Sequence, residues 1–105
     1  MIARTWHGVV PNEKSDEYHK YLLRTGVADC RATPGNLGVQ VLRRIEGDKA
    51  HFFFISYWDS LDDIRAFAGD DVEVARYYPE DHEYLLELEP RVKHYDVLTG
   101  SGLSD

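Results

Sequence analysis

The segment from Ala50 to Trp58 constrains the fold of this chain more than any other, because it is apolar on both faces of a strand. Residues 51–58 read His-Phe-Phe-Phe-Ile-Ser-Tyr-Trp, so large side chains alternate to either side. A strand of this kind is typical of a sheet that is covered on both sides. The segment therefore predicts a central strand in a sheet whose two faces are both buried.

Three further strands are indicated by β-branched and aromatic residues. They are expected over residues 2–10, 37–46 and 92–98. The second is separated from the strand at residues 50–58 by a turn that contains Gly47-Asp48, which is a strong hairpin signal. The chain therefore contains four predicted strands, two of them joined as a hairpin.

Helical spacing of apolar residues fills the intervals between the strands. One helix is expected between Asn12 and Thr33, and Gly26 within it is either a close-packing point or a tolerated defect, of which we favour the defect. A second helix is expected from Ser60 to Gly69. A short helical piece over residues 71–77 and a helix from Pro79 to Pro90 complete the prediction.

This order of elements, βαββαβ, predicts an α+β fold of the ferredoxin-like sandwich type. Such a fold has a four-stranded antiparallel sheet with helices on one face. We expect residues 1–99 to form a single domain and residues 100–105 to be a flexible C-terminal tail. Because helices cover one face only, the other face needs a second copy of the chain, and we expect a homodimer.

Composition argues against two classes of partner. The 105 residues carry a formal net charge of -7, which repels phosphate backbones, so we expect no nucleic-acid partner. The longest apolar stretch is too short for a membrane helix, so no membrane partner is expected. The N-terminus lacks the apolar run of a signal peptide, and a single cysteine cannot form an internal disulfide. A cytoplasmic location is therefore expected.

No sequence motif for a metal or a nucleotide is complete. Residues 82–86 begin like the zinc helix His-Glu-x-x-His but have Leu where the second His belongs. Residues 35–38 are too short for a dinucleotide loop, and there is neither a Walker loop nor a nucleophile elbow. Cys30 lies in a predicted helix, where a buried apolar role is favoured over a nucleophilic one. We therefore expect no metal and no cofactor.

Aromatic residues and histidines provide the candidate binding site. The chain has 2 Trp, 7 Tyr, 4 Phe and 5 His. A pocket between sheet and helices that is lined by such rings suits a small planar aromatic ligand, although the same rings are also typical of an ordinary core. The walls of this pocket are predicted to include Trp58, Phe67, Tyr77 and His82.

His7 and His94 are the candidate catalytic residues. They lie on the first and last predicted strands, and we expect both side chains to point toward the helices. A neutral imidazole can accept a phenolic proton near neutral pH. The alternative, that each His only bonds a neighbouring backbone carbonyl, stays open.

Six short segments, spread over nearly the whole chain, carry a resemblance to a known family. They are Ala3–Gly8, Thr33–Asn36, Tyr57–Ser60, Ile64–Gly69, Tyr77–Asp81 and Val92–Val97. They resemble the antibiotic biosynthesis monooxygenase family of small dimeric α/β-barrel proteins. The resemblance implies a homodimer whose sheets pack face to face, with one pocket in each subunit. It also implies oxidation of a phenol or quinol without flavin, haem or metal.

The same superfamily includes haem-degrading enzymes, which use an Asn on the first strand, a Trp on the second main helix and a His shortly after it. The matching positions here hold Thr5 or a neighbour, Phe67 and Tyr77, so all three depart from that pattern. Haem binding or degradation is therefore the less favoured alternative function. A non-catalytic ligand-binding or stress-related dimer is the other.

Overall fold

The computed structural model describes residues 1–100, so the predicted tail lies outside the described residues from residue 101 onward. The four strands are β1 (Ile2–Pro11), β2 (Asn36–Glu46), β3 (Lys49–Trp58) and β4 (Lys93–Asp96). They form one antiparallel sheet in the order β2-β3-β1-β4. The predicted ferredoxin-like α+β fold is thus confirmed.

Strand register divides the side chains between two faces of the sheet. On the face that carries the helices, β1 presents Arg4 and Val10 and β3 presents Phe52 and Trp58, and all four are buried. We call the opposite side the open face. Its members include Thr5, His7, Leu42, His51, Phe53, Ile55 and Tyr95. Among them Phe53, Leu42 and Tyr95 are exposed in the single chain.

The chain between β1 and β2 is helical almost throughout. A 3-10 turn (Asn12–Lys14) leads into α1 (Ser15–Leu22), a π-helical turn (Leu23–Val27) and α2 (Ala28–Ala32). Gly26 lies in the π-helical turn, where an added Cβ would come 3.1 Å from Cε2 of Phe54. That separation makes Gly26 a close-packing point, so its interpretation as a tolerated defect is wrong.

Helix α3 (Leu61–Ala68) begins and ends as the sequence predicts. The Ser60 side chain accepts a hydrogen bond from the Asp63 backbone N–H at 3.3 Å, which supplies the N-cap. Gly69 follows the last helical residue with φ 97°, a conformation that L side chains rarely adopt. Within residues 1–100 no helix combines the length and the apolar character needed to cross a membrane.

The two helices predicted after Gly69 are wrong. Residues 70–92, which we call the covering segment, contain one short 3-10 turn (Asp81–Glu83). Its backbone bonds run between distant parts of the chain instead: Ala75 N–H donates to Pro90 O at 2.9 Å, and Leu86 N–H to Val9 O at 2.9 Å. Tertiary pairing has overridden a weak helical preference.

Candidate functional site

A cavity of about 40 Å³ lies between the helical face of the sheet, the helical run after β1 and the covering segment. Six aromatic rings form much of its wall: Trp6, Tyr18, Phe54, Phe67, Tyr77 and Tyr78. This volume holds a few water molecules, whereas drug-sized ligands occupy several hundred Å³. The cavity in this structure is therefore smaller than a drug-sized ligand.

Trp6 and Tyr77 tie the covering segment to β1. The indole Nε1–H of Trp6 donates to the Tyr77 hydroxyl at 3.0 Å, and the rings meet edge to face. The Tyr77 hydroxyl in turn donates to the backbone carbonyl of Glu89. Burial raises the pKa of Tyr77, so its hydroxyl stays protonated and available as a donor.

Arg4 places a positive charge in the cavity wall. Its side chain is only 5% exposed, and Nη2 donates to the Val74 carbonyl at 3.0 Å. Its Nε has no hydrogen-bond partner within residues 1–100, where Arg4 also forms no ion pair. Burial lowers the pKa of Arg4, although a guanidinium remains charged at neutral pH. A buried cation without a carboxylate favours an anionic ligand.

Arg76 is the second guanidinium in the wall, and it is already partnered. Its Nη1 donates to the Phe67 carbonyl at 2.9 Å, and its Nη2 lies 3.2 Å from Asp29 Oδ2. The group also lies over the Phe67 ring at 4.8 Å from the centroid. Arg76 therefore shapes the wall, while Arg4 keeps unused bonding capacity.

Asp81 is a buried carboxyl group in the same wall. It accepts the Tyr78 backbone N–H at 2.6 Å and the Tyr18 hydroxyl at 3.3 Å. Burial raises the pKa of Asp81, partly offset by the bond from Tyr78. The Tyr18 contact fastens the 3-10 turn to α1, while the Tyr78 contact lies within the covering segment, so Asp81 has a structural task as well as a place in the cavity.

His94 stands beside Arg4, but it is not among the residues that line the cavity. The two residues are directly opposed in the antiparallel pairing of β1 with β4, so both side chains lie on the helical face. The Nε2 atom of His94 is buried and has no hydrogen-bond partner in the described part of the chain. Burial, and then the charge of Arg4, lower the pKa of His94. The imidazole is therefore neutral at neutral pH.

His7 lies on the open face, so the expectation that His7 and His94 point to the same side is wrong. Its Nδ1 lies 2.6 Å from Glu89 Oε2, and its Nε2 lies 3.0 Å from Nδ1 of His51. Beyond it, His51 Nε2 lies 3.2 Å from Glu46 Oε2. Strand alternation is the cause, because adjacent residues face opposite ways and Trp6 takes the helical side.

The remaining predicted wall residues divide equally. Phe67 and Tyr77 line the cavity. Trp58 is fully buried in the core beneath Phe67, and its Nε1–H donates to Ser56 Oγ at 2.8 Å, so it does not line the cavity. His82 is exposed on the 3-10 turn and does not line it either.

The sequence interpretation missed Arg4, Trp6 and Asp81. Arg4 and Trp6 occupy every second position of β1 together with the buried Gly8 and Val10, so they share one face of the strand. This spacing was the available signal. Asp81 lies two residues after Pro79, where an acidic residue is typical of a helix start. The sequence therefore did not indicate that its side chain is buried. Nothing in one sequence separates a buried charge from an exposed one.

Together the topology and the aromatic cavity define an α+β fold with a cavity between its sheet and its helices. The family model for antibiotic biosynthesis monooxygenases matches residues 9–72, which is more than half of the chain. The chain belongs to this family. No curated protein matches its sequence.

Solved structures of low sequence identity share the fold. A candidate antibiotic biosynthesis monooxygenase from Nitrosomonas europaea is 16% identical with a TM-score of 0.67, over 94% of this chain and 100% of its own. A similar candidate from Bacillus cereus is 15% identical, with a TM-score of 0.65, over 100% and 98%. The haem-degrader MhuD of Mycobacterium tuberculosis, whose structure holds two haems in its active site, is 20% identical, with a TM-score of 0.65, over 97% and 100%.

Proposed function

We propose that this protein is a monooxygenase that oxidises a small planar phenol or quinol without a cofactor, in the cavity between sheet and helices. One observation carries the proposal: the cavity combines aromatic walls with the buried guanidinium of Arg4, which has no ion-pair partner within residues 1–100 and whose Nε has no hydrogen-bond partner there. Aromatic rings bind a planar ligand by stacking, and a guanidinium stabilises an anionic oxygen. Family membership adds the reaction class.

The chemistry asks little of the protein beyond these groups. An electron-rich phenolate can reduce O₂ itself, forming a carbon–oxygen bond to a hydroperoxide. Loss of water from that hydroperoxide leaves a quinone, so one oxygen atom stays in the product and the other leaves as water. The protein needs to remove the phenolic proton, hold the oxyanion and exclude water. His94 is the proposed base and Arg4 the proposed oxyanion partner, while Phe67 and Tyr77 are the proposed walls.

We further propose that the working form is a homodimer joined through the open face. Leu42 is 49% exposed, Phe53 40% and Tyr95 53% in the single chain, and all three lie on this face. A contiguous apolar patch on a sheet is typical of a protein interface. A second copy that covers it would also bury the pair formed by His7 and Glu89.

Haem, which MhuD holds, does not fit the residues found here. The family resemblance places Tyr77 where haem-degrading members have a His, and the Tyr77 hydroxyl already accepts from Trp6 and donates to the Glu89 carbonyl. Burial raises the pKa of Tyr77, which disfavours the phenolate that ferric iron would need. A porphyrin would also need the cavity of about 40 Å³ to open much further than a single aromatic ring does.

Oxygen uptake tests the proposed reaction. Anthrone-like phenols and menadiol are added to the pure protein, and uptake above the uncatalysed rate with formation of the quinone is expected. Arg4→Gln should reduce this rate by about a hundredfold, whereas the exposed Arg65→Gln serves as the matched control and keeps it.

Three other results would contradict the proposal. Binding of these compounds without uptake would identify a non-catalytic binding protein. A new visible absorption band on addition of haem would favour the haem alternative. Equal rates of oxygen uptake by Arg4→Gln and by the unchanged protein would show that the Arg4 guanidinium does not take part in the reaction.

A further inference from the structure

The covering segment meets the sheet along the edge of β1. Strand β4 pairs with β1 only along residues 2–5, so within residues 1–100 no strand lies beside residues 6–11 on that side. The covering segment lies there instead, since Leu86 N–H donates to Val9 O at 2.9 Å. One wall of the cavity is therefore attached to an edge of the sheet.

Two backbone hydrogen bonds close the base of this wall. Ala75 N–H donates to Pro90 O at 2.9 Å. Val92 N–H donates to Glu73 O at 2.8 Å, on the other side of a single β-bridge. Residues 76–89, which we call the strap, therefore form a loop whose two ends lie close together. What fixes the strap over the cavity is the set of contacts that its own residues make elsewhere.

A closed ring of hydrogen bonds passes around β1 at Trp6 and His7, which are neighbours on opposite faces of the sheet. On the helical face, the Trp6 indole donates to the Tyr77 hydroxyl at 3.0 Å, and that hydroxyl donates to Glu89 O. On the open face, the Glu89 carboxylate lies 2.6 Å from Nδ1 of His7. Glu89 therefore joins the cavity wall to the open face.

The other side of the strap is bonded to the helical run between β1 and β2. The Tyr78 hydroxyl donates to Asp29 Oδ2, and the Tyr84 hydroxyl donates to Glu17 Oε1 at 3.0 Å. Hydrogen bonds to carboxylates are stronger than bonds between neutral groups. The side against β1 holds the ring of bonds around that strand and the backbone bond of Leu86.

The proposed ligand needs more room than the cavity of this structure offers, because about 40 Å³ holds only a few water molecules. The sheet and the helices are held by their own backbone hydrogen bonds, whereas the strap contains one 3-10 turn. Segments with little regular structure open at a low cost in free energy. The strap is therefore the wall that gives way first.

We propose that the bond between His7 and Glu89 is a latch on the cavity. It holds the strap against the edge of β1, and ligand enters and leaves when the strap is released there. This inference rests on the proposed function, because it concerns access to the same cavity. His7 and Glu89 do not line the cavity, so they are positioning residues that act through Tyr77. Access to the cavity is thus controlled from the opposite face of the sheet.

Hydrogen exchange tests the release of the strap without any ligand. The amide of Leu86 loses its bond to Val9 when the strap leaves β1, whereas the amide of Ala75 stays bonded at the base. His7→Phe keeps an aromatic ring but lacks Nδ1. It should raise the exchange rate of the Leu86 amide about fivefold, the effect of one hydrogen bond, and leave that of Ala75 unchanged. Glu89→Ala should do the same.

Ligand exchange tests whether this release opens the cavity. Naphthol, a small planar phenol, is mixed with the protein in the absence of oxygen, so that binding is separated from oxidation. Its binding is followed by the fluorescence of Trp6, which lines the cavity. A latch acts equally on the empty and the occupied closed state. His7→Phe and Glu89→Ala should therefore raise both the association and the dissociation rate about fivefold, with Kd within about twofold of the original.

Two controls assign the effect to the bond itself. The double variant of His7→Phe with Glu89→Ala should be no faster than either single variant, because both changes remove the same bond. Glu87→Gln, on an exposed carboxylate of the strap, is the matched control and should change neither rate. Sedimentation at the concentration used ensures that all variants are compared in the same assembly state.

Several outcomes would overturn the latch: unchanged exchange of the Leu86 amide, additive effects in the double variant, or a changed Kd with an unchanged association rate. Faster exchange of the Leu86 amide with unchanged naphthol rates would overturn it as well, because the strap would then open without opening the cavity. Absence of naphthol binding would overturn the latch and the proposed function together. The expected naphthol rates without oxygen uptake from any phenol would contradict the proposed reaction alone.

Discussion

His7 Nε2 and His51 Nδ1 lie 3.0 Å apart on the open face, and a carboxylate lies beyond each ring. The hydrogen bonds from His7 to Glu89 and between the two rings need one N–H proton each, and two neutral imidazoles supply both. His51 Nε2 also lies 3.2 Å from Glu46 Oε2. The two rings therefore connect Glu89 of the covering segment with Glu46 at the end of β2 across the open face.

The bond between His7 and Glu89 should be measurable as a coupling in stability. In a double-mutant cycle with His7→Gln and Glu89→Gln, we expect a coupling free energy of unfolding of about 1 kcal/mol. The value is modest because the two side chains are 29% and 39% exposed and water screens the pair. Urea denaturation of the four proteins gives it. A second cycle, with His7→Gln and the exposed Glu87→Gln, is the control. An equal coupling free energy in that cycle would contradict a specific bond between His7 and Glu89.

Gly8 should tolerate no side chain, because the Trp6 indole lies over it. A Cβ at Gly8 would lie 2.1 Å from Trp6 Cη2 and 2.9 Å from Leu85 Cδ2. Gly8→Ala should therefore lower the free energy of unfolding by about 1–3 kcal/mol, as measured by urea denaturation. Gly38→Ala, on β2 of the same sheet, is the matched control, since nothing lies within 4 Å of its added Cβ. Equal stability of the two variants would show that the indole can move aside at no cost.

The open face should control assembly. Sedimentation of the unchanged protein at micromolar concentration should give about twice the chain mass of 12.1 kDa. Leu42→Glu places a charge in the proposed interface and should give the single-chain mass, whereas Leu88→Glu, on the equally exposed Leu88 of the covering segment, should leave the dimer intact. A stable folded monomer of the unchanged protein would refute this arrangement.

Acidification should cost stability through His94. Burial and Arg4 lower the pKa of His94 in the folded protein, while an unfolded His titrates near about pH 6.5. The unfolded state therefore binds more protons as pH falls below about 6.5, and stability decreases in that direction. An unfolded His is neutral at about pH 7.5 and charged at about pH 5. Between these two pH values, the unchanged protein should therefore lose more free energy of unfolding than His94→Gln does. If the free energies of unfolding of the two proteins differ by the same amount over this pH range, burial of His94 does not lower its pKa.

The sheet was predictable because its signals are local. The apolar run of β3, the alternation of β2, the Gly47 turn and the Ser60 cap are each signals within a few residues, and each predicted element is present in the structure. The prediction failed after Gly69, where Val92 N–H pairs with Glu73 O across the chain. No local pattern reports such a pairing.

The site was predictable only in part for a related reason. Phe67 and Tyr77 were expected in the wall and line the cavity. The face that His7 occupies depends on the register of β1 against β3, and a shift of one residue would reverse it. The importance of Arg4 depends on what lies around it after folding, which is a property of distant segments.

The sheet determines the fold of this chain, whereas the covering segment supplies much of the cavity wall, so the two can change independently. The sheet is defined by its own strand pairing, while Tyr77, Tyr78 and Asp81 reach the cavity from a stretch with almost no regular structure. Insertions or replacements in that stretch can change which molecule is accepted without disturbing the strand register. Selection can therefore move such a chain from one substrate to another while its backbone architecture persists at very low sequence identity.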